Sequence, residues 1–344
     1  RIPVMHAIFS DVHRQHRPSR FLRRGEWAAY PEVPERAENL VAAAAAAGLT
    51  VIAPDDFGAA PREAIHSAEH LAFLATAHER WSAFDDASEY LVPNTHPGRH
   101  MTGYPDNVVA QAGWHIADLA CPVGPHSWPA ACAAANVALH AASLVLDGAN
   151  SAYGICRPPG HHAYGDLSGG FCLLNNVAIA AAHMVTKLSR VAILDIDVHH
   201  GNGTQGIFYD RGDVLFVSVH ADPTGFYPFY AGYAHEHGDG AGEGANLNLP
   251  LAMGSGDDVF LGAINDGLGK IRGFDPDALL LSLGFDAFKD DPLSGLKVST
   301  DGFRAAGAAI GGLDQPVVLI QEGGYQCDAL GRNLTAFLEG FDRG

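Results

Sequence analysis

The second half of the chain repeats one pattern: a short, unbroken apolar run, then a longer stretch of other character. That pattern limits the possible folds more than any other feature. The apolar runs cover 151–156, 191–196, 214–219, 278–283 and 316–320. They have strand length and do not alternate polar with apolar residues, which is how strands covered on both faces read. Stretches 128–147 and 173–188 read as Ala- and Leu-rich helices. Near the start, the Ala-rich run 41–47 follows Pro34-Glu35-Arg36 and reads as a helix with an acid in its first turn. Strands alternating with helices predict a three-layer α/β/α architecture around a mostly parallel central sheet. The 344 residues would allow two domains, but no repeat or low-complexity linker divides them, so a single domain over 1–344 is expected. Stretches 86–113 and 221–246 are rich in Gly, Pro, His and Asp without periodicity, and read as functional surface loops.

Composition narrows the function. With 47% hydrophobic and 17% charged residues, the chain is neither disordered nor fibrous. Its 21 basic and 39 acidic residues give a net charge of −18, which excludes nucleic acid as a partner. A solvated acidic surface is the plain reading, and a cationic substrate would suit the same charge. The five cysteines, at 121, 132, 156, 172 and 327, are odd in number and form no CxxC pair. They read as reduced thiols of a cytoplasmic enzyme. The sequence opens at Arg1, which leaves room for a few preceding residues. Its first apolar run, 4–9, is short and broken by His6, so neither a secretory leader nor a membrane span is expected.

The chemistry lies where the apolar runs end. The first runs into Arg157-Pro-Pro-Gly-His161-His162, and the second through Asp195 into Asp197-Val198-His199-His200-Gly-Asn202. The third meets His220, the fourth Gly284-Phe285-Asp286, and the fifth Gln321-Glu322-Gly-Gly-Tyr325. In open α/β sheets ligands bind beyond the carboxyl ends of the strands, so these five endings should converge in one cleft. In the run Asp195-x-Asp197-x-His199, alternation turns two carboxylates and an imidazole to one side. Without a cation they would repel and desolvate badly. Oxygen and nitrogen donors of this kind suit zinc or iron(II), and three protein ligands with one open position mark a catalytic site. Asp286, closing an apolar strand, is the natural third ligand; alone it would read as a helix N-cap. The tandem His161-His162, held after two prolines and a glycine, suggests one general base and one electrostatic partner. Tyr325 could donate its hydroxyl to an oxyanion.

Together CRPPGHHA, GGFCLLNNVAIA, ILDIDVHHGNGTQ, VSVH, LSLGFDAFKDDPL and QEGGY resemble the zinc-dependent deacetylases of the arginase–deacetylase superfamily. The resemblance runs from Val33-Pro34-Glu35-Arg36 to Tyr325. Within that family, PERAENL, CPVGPHSW and the long preceding loop are similar to the bacterial acetylpolyamine amidohydrolases.

The resemblance implies an arginase–deacetylase fold and hydrolysis of an acetamide to acetate and a free amine. It implies zinc, with iron(II) as the alternative, on Asp197, His199 and Asp286. His162 would be the general base and then the acid, His161 its electrostatic neighbour, and Tyr325 the stabiliser of the oxyanion. Asp195 would orient His161. A structural potassium or sodium ion would sit among Asp195, Asp197, His199, Ser218 and Val219. Phe171 and Tyr227 would line an apolar tunnel, with Arg36 in an interior pocket below the metal. The substrate would be a small cationic acetylamine, or else acetyl-lysine in a protein, since both use the same catalytic residues. A non-catalytic relative would not need the whole set. Loop 86–113 would narrow the entrance, shared across a homodimer. Some relatives place Asp behind the general base; here Asn202 supplies no negative charge, which should lower the His162 pKa. In the segment 116–121 the only acid is Asp118.

Overall fold

The computed structural model describes residues 5–325, 328–342 and 344. Cys327 lies outside the described residues. The strands are β1 (His6–Ile8), β2 (Arg20–Arg23), β3 (Glu26–Ala29), β4 (Thr50–Ile52), β5 (Ser151–Gly154), β6 (Val191–Asp195), β7 (Val214–Ala221), β8 (Asn246–Leu251), β9 (Ala278–Leu283) and β10 (Val317–Gln321). The helices are α1 (Pro34–Ala46), α2 (Ala60–Glu63), α3 (Ala68–Trp81), α4 (Val108–His115), α5 (Ser127–Leu146), α6 (Asn176–Met184), α7 (Asn202–Phe208), α8 (Asp257–Phe274), α9 (Thr300–Gly311) and α10 (Leu330–Phe341).

Eight strands form one sheet in the order β4-β1-β5-β10-β9-β6-β7-β8, and every neighbouring pair in it is parallel. All five strands expected from sequence are present. The central ones are apolar throughout because both faces are covered; every residue of β6, β9 and β10 is buried. On one face Leu194, Val217, Leu281 and Leu319 pack with Leu40 of α1, Ile264 and Leu268 of α8, Phe303 of α9 and Phe337 of α10. On the other, Ile193, Phe216, Leu280 and Ile320 pack with Val137 and Ala141 of α5 and Val177 and Ala181 of α6. This is the expected single-domain three-layer α/β/α arrangement.

Since every strand of the sheet runs the same way, all their carboxyl ends lie along one edge. Two outliers border that edge: the antiparallel hairpin β2–β3, and loops that leave β7 and β9. Helix α5 is long and apolar enough to span a bilayer, but it is largely buried between the sheet, α3 and α6, where its apolar surface is used as core.

Three expectations need correction. The helix expected over 173–188 is shorter, because the Asn175 side chain accepts the Ala178 N–H at 2.9 Å and caps α6 there. The loop expected over 86–113 is helical from Val108, where Asn107 caps α4 through a 2.8 Å bond from the Val109 N–H. The rest of that stretch is tied sideways rather than over the site: Tyr90 donates its hydroxyl to the Arg17 carbonyl at 2.7 Å, and Arg80 reaches the Asp106 carbonyl at 2.7 Å.

Candidate active site

The metal-type residues meet at the carboxyl ends of β6 and β9, which are neighbours in the sheet. Donor atoms of Asp197, His199 and Asp286 lie within 4.8 Å of one another, and all three residues are buried. His199 Nδ1 is 3.2 Å from Asp197 Oδ1 and 3.1 Å from Asp286 Oδ2. Main-chain N–H groups fix the outer carboxylate oxygens: Gly323 donates to Asp197 Oδ2 at 2.7 Å, and Val198 to Asp286 Oδ1 at 3.0 Å. Glycine is required here by space. A Cβ on Gly284 would lie 2.2 Å from Asp197 Oδ2, and one on Gly323 2.2 Å from Asp286 Oδ2. Burial, then the Asp197 charge, raises the Asp286 pKa. Two desolvated carboxylates and one imidazole, two oxygens and a nitrogen, are the donor set a divalent metal of the zinc or iron(II) type takes. The residues fit the ion.

The histidine pair sits beside them. Their ring centroids are 4.1 Å apart, yet their partners differ. His161 Nδ1 donates to Asp195 Oδ2 at 2.9 Å, while His162 Nδ1 meets Asn202 Oδ1 at 2.6 Å. Burial works against a charge on His161, but the Asp195 and Asp197 carboxylates outweigh it and raise its pKa to about 10. For His162 burial and the neighbouring His161 charge act together, holding the pKa well below the ordinary value. Asn202 is a good acceptor but no anion, so its hydrogen bond offsets them only in part. Their surroundings thus push the two rings in opposite directions, His161 toward the charged form and His162 toward the neutral one. Asp195, read from sequence as facing the same way as Asp197 and His199, is spent on His161 instead. The strand ends at Asp195, so strict alternation does not carry past it.

Tyr325 follows Gly323-Gly324 off β10, and its N–H donates to Asp291 Oδ2 at 2.8 Å. Burial, then the Asp286 charge, keeps its phenol protonated far above pH 10. Arg36 lies behind it, with its guanidinium 5.4 Å from the Tyr325 ring centre. Arg36 donates to the Gly324 carbonyl at 2.7 Å, to the Glu322 carbonyl, and to Glu32 Oε1 at 3.2 Å. It buttresses the Tyr325 turn from beneath and is not a wall of the cavity above.

That cavity holds about 530 Å³ and has His162, His199 and Tyr325 among its lining residues. Phe171 and Tyr227 form its walls, and Phe226 stacks on His199 at 4.9 Å. The rim comes from the β2–β3 turn (Arg23, Arg24), from Met253 and Phe229, and from 292–294. No lining residue comes from 86–113, so the expected narrowing of the mouth by that loop does not occur within the chain. One expected ending, that of β7, stays out of the cavity, as does Arg157 at the start of the ending whose His162 reaches it. His220 is buried within β7, sharing a 2.8 Å hydrogen bond with Ser218 Oγ and donating to the Gly232 carbonyl at 2.8 Å. Arg157 is buried against Glu32, 2.8 Å away. Ser218 pairs across the sheet with Asp195, and Val219 follows it in β7.

Three contributors carry no role in the sequence reading. Glu322 accepts the N–H groups of Gly160 at 2.7 Å and His161 at 3.1 Å, so it fixes the histidine turn. Its place in the QEGGY ending was the only signal. Asp291 holds Tyr325 and lies within the LSLGFDAFKDDPL run without being singled out there; Phe226 stacks on His199 and is marked by no motif.

Behind the cavity wall, three buried histidines grip segment 166–175. His66 Nε2 accepts the Asn175 N–H at 3.0 Å, His70 Nε2 reaches the Leu173 carbonyl at 3.3 Å, and His115 Nδ1 donates to the Asp166 carbonyl at 2.8 Å. Burial lowers all three pKa values, that of His66 to about 4. They are neutral in the fold, whereas the unfolded chain binds protons near pH 6.5. Their contribution is therefore intact above pH 6.5 and is lost as pH falls toward 4, at roughly 1.4 kcal/mol per pH unit for a fully shifted group. The Tm should fall across that window. A Tm unchanged between pH 6.5 and 4 would refute the account.

Residues 30–341 match the histone deacetylase domain family, and the chain belongs to it. It is therefore an amidohydrolase of the deacetylase type, from a metal-dependent family. Among its relatives, the acetylpolyamine amidohydrolase of Burkholderia pseudomallei (strain 1710b) is 49% identical over 98% of both chains. The acetylpolyamine amidohydrolase of Mycoplana ramosa is 38% identical over 98% of this chain and 99% of its own. A crystal structure of acetylpolyamine aminohydrolase from Burkholderia pseudomallei superposes with a TM-score of 0.96 at 48% identity, covering 98% of each chain.

Proposed function

We propose that the chain removes the acetyl group from acetylated polyamines or similar small alkylamines, releasing acetate and the free amine. The observation that carries this reading is a cavity with aromatic walls that ends on the Asp197–His199–Asp286 set. The names of full-length relatives support the substrate class.

Asp197, His199 and Asp286 would hold zinc, or iron(II), which when bound polarises a carbonyl and acidifies water. The remaining steps belong to side chains. His162 is neutral, and its Nδ1 is committed to Asn202, so Nε2 is free to take a proton from the attacking water. His161, cationic beside it, favours the return of that proton to the leaving amine. Tyr325, kept protonated, donates to the developing oxyanion. Phe171 and Tyr227 orient the alkyl chain and exclude water. The same reading places a potassium or sodium ion around Asp195, Asp197, His199, Ser218 and Val219, and takes the enzyme to be a cytoplasmic homodimer. Stretch 86–113 is largely exposed and contributes no lining residue to its own cavity, which leaves it free to contact a second copy.

Charge supplies the discriminating test. The acid among the cavity's lining residues is Asp118, whose oxygens are already hydrogen-bonded, and the rim carries Arg23 and Arg24. A preference for cations must then come from the long-range field of the −18 charge. Acetylated straight-chain diamines should be turned over faster than neutral acetamides of equal length, chiefly through lower KM. That advantage should shrink as ionic strength rises from about 0.01 to 0.15 M and the screening length drops from ~30 to ~8 Å. Faster turnover of a folded, lysine-acetylated protein than of acetylated diamines would overturn the small-amine reading in favour of protein deacetylation.

A further inference from the structure

We propose that Asp118 is a positioning residue that sets the shape of the substrate tunnel, by fastening two of its walls, the Tyr227 ring and the Gly170–Phe171 turn, to one carboxylate. The inference rests on reading the cavity as a deacetylase tunnel. Asp118 lines the cavity together with Leu119 and Ala120 and accepts three hydrogen bonds. Oδ2 accepts the Tyr227 hydroxyl at 2.6 Å and the Gly170 N–H at 2.9 Å, while Oδ1 accepts the Ala120 N–H at 2.9 Å. The two donors on Oδ2 come from far apart in the chain. Tyr227 arrives on the loop after β7, and Gly170 on the loop after the histidine pair.

Each donor controls a wall. The Tyr227 ring stands edge-on to His162 at 4.9 Å. Gly170 sits so close to the general base that a Cβ would lie 2.3 Å from His162 Cδ2 and 2.9 Å from the Tyr227 hydroxyl. Its φ is +52°, and Phe171 follows at +71°. Both lie in the left-handed region, which a Phe enters only when its surroundings hold it there. The bond from the Gly170 N–H to Asp118 is one such restraint. Packing of Phe171 on Tyr325 at 5.6 Å is another. Burial and the Asp118 charge also keep the Tyr227 phenol protonated, hence a donor.

The chemistry of the joint requires a carboxylate. An ionised Asp is acceptor-only and can serve three donors at once. Asn of the same shape must turn its NH₂ toward at least one N–H or O–H, losing that bond and adding a repulsion. The part-buried Asp118 therefore acts through Tyr227 and Phe171, with its charge spent before any substrate ammonium arrives.

The test compares wild type, Asp118→Asn, Asp118→Ala, Tyr227→Phe and the Asp118→Ala/Tyr227→Phe double variant, all metal-loaded. Substrates are a straight acetylated diamine and one branched beside the amide. Straight and branched alkyl hydroxamates are titrated in parallel as binding probes. Asp118→Ala should raise KM for the straight substrate about tenfold with a smaller fall in kcat, and should cut the straight-over-branched ratio about tenfold. Tyr227→Phe and Asp118→Asn should shift the ratio in the same direction. The double variant should be no worse than Asp118→Ala, because both mutations release one joint. A purely structural role would lower Tm and kcat and leave the ratio alone. Straight-over-branched ratios within twofold of wild type, or additive effects in the double variant, would overturn the proposal. Should Asp118→Ala fail to fold, Asp118→Asn and Tyr227→Phe decide the matter. Should wild type hydrolyse no acetylated amine, the deacetylase reading fails, and the hydroxamate ratios still report on the joint.

Discussion

Asp286→Ala is expected to give a folded protein that retains no metal and has no measurable turnover. The three donors fill the protein positions of an open catalytic site, and two cannot hold an ion against water as three can. The fold should survive because β9 ends three residues earlier, in a fully buried core strand. The substitution does leave the Val198 N–H without its acceptor, at a cost of about 1–3 kcal/mol. Against that, it removes one of two carboxylates that repel in the metal-free site. Metal content per chain and far-ultraviolet circular dichroism check both halves. Stoichiometric zinc in the purified variant would remove Asp286 from the donor set.

Tyr325→Phe should leave the metal bound while lowering kcat by about 10²–10³-fold, the loss found when one oxyanion donor is removed. The ring would still pack on Phe171 and over Arg36, so the cavity keeps its shape. The main-chain bond to Asp291 is untouched. KM should change little, since the hydroxyl acts on charge that develops only in the transition state. A variant with near-native kcat on a good substrate would take Tyr325 out of the mechanism.

What could be read in the sequence follows from where each residue lies. Central strands such as Ala278–Leu283 stand out because burial on both faces leaves no polar position to interrupt them. Strands β1 and β4 have three residues each, and β4 is largely exposed at the sheet edge, so neither leaves a recognisable run. The other edge, β8, is only partly buried and contains Pro250. The Asp197–His199–Asp286 cluster and the histidine pair were legible because a parallel sheet puts every strand's carboxyl end on one side. Glu322, Asp291 and Phe226 were not, since their work is a contact with a residue distant in sequence. The mouth was misassigned for the same reason: the long 86–113 stretch has the composition of a lid, but its anchors to Arg17, Arg80 and Ile116 draw it elsewhere.

The donors His199 and Asp286 stand 87 positions apart in the chain, and they meet only because β9 returns to lie beside β6. A growing chain that has made β6, β7 and β8 still lacks Asp286, the third residue of the cluster. The centre therefore cannot assemble on the nascent polypeptide as a zinc finger does, with the ion organising the fold around itself. It is a cluster finished by tertiary structure, so an ion bound there would meet a preformed enclosure rather than choose its own geometry.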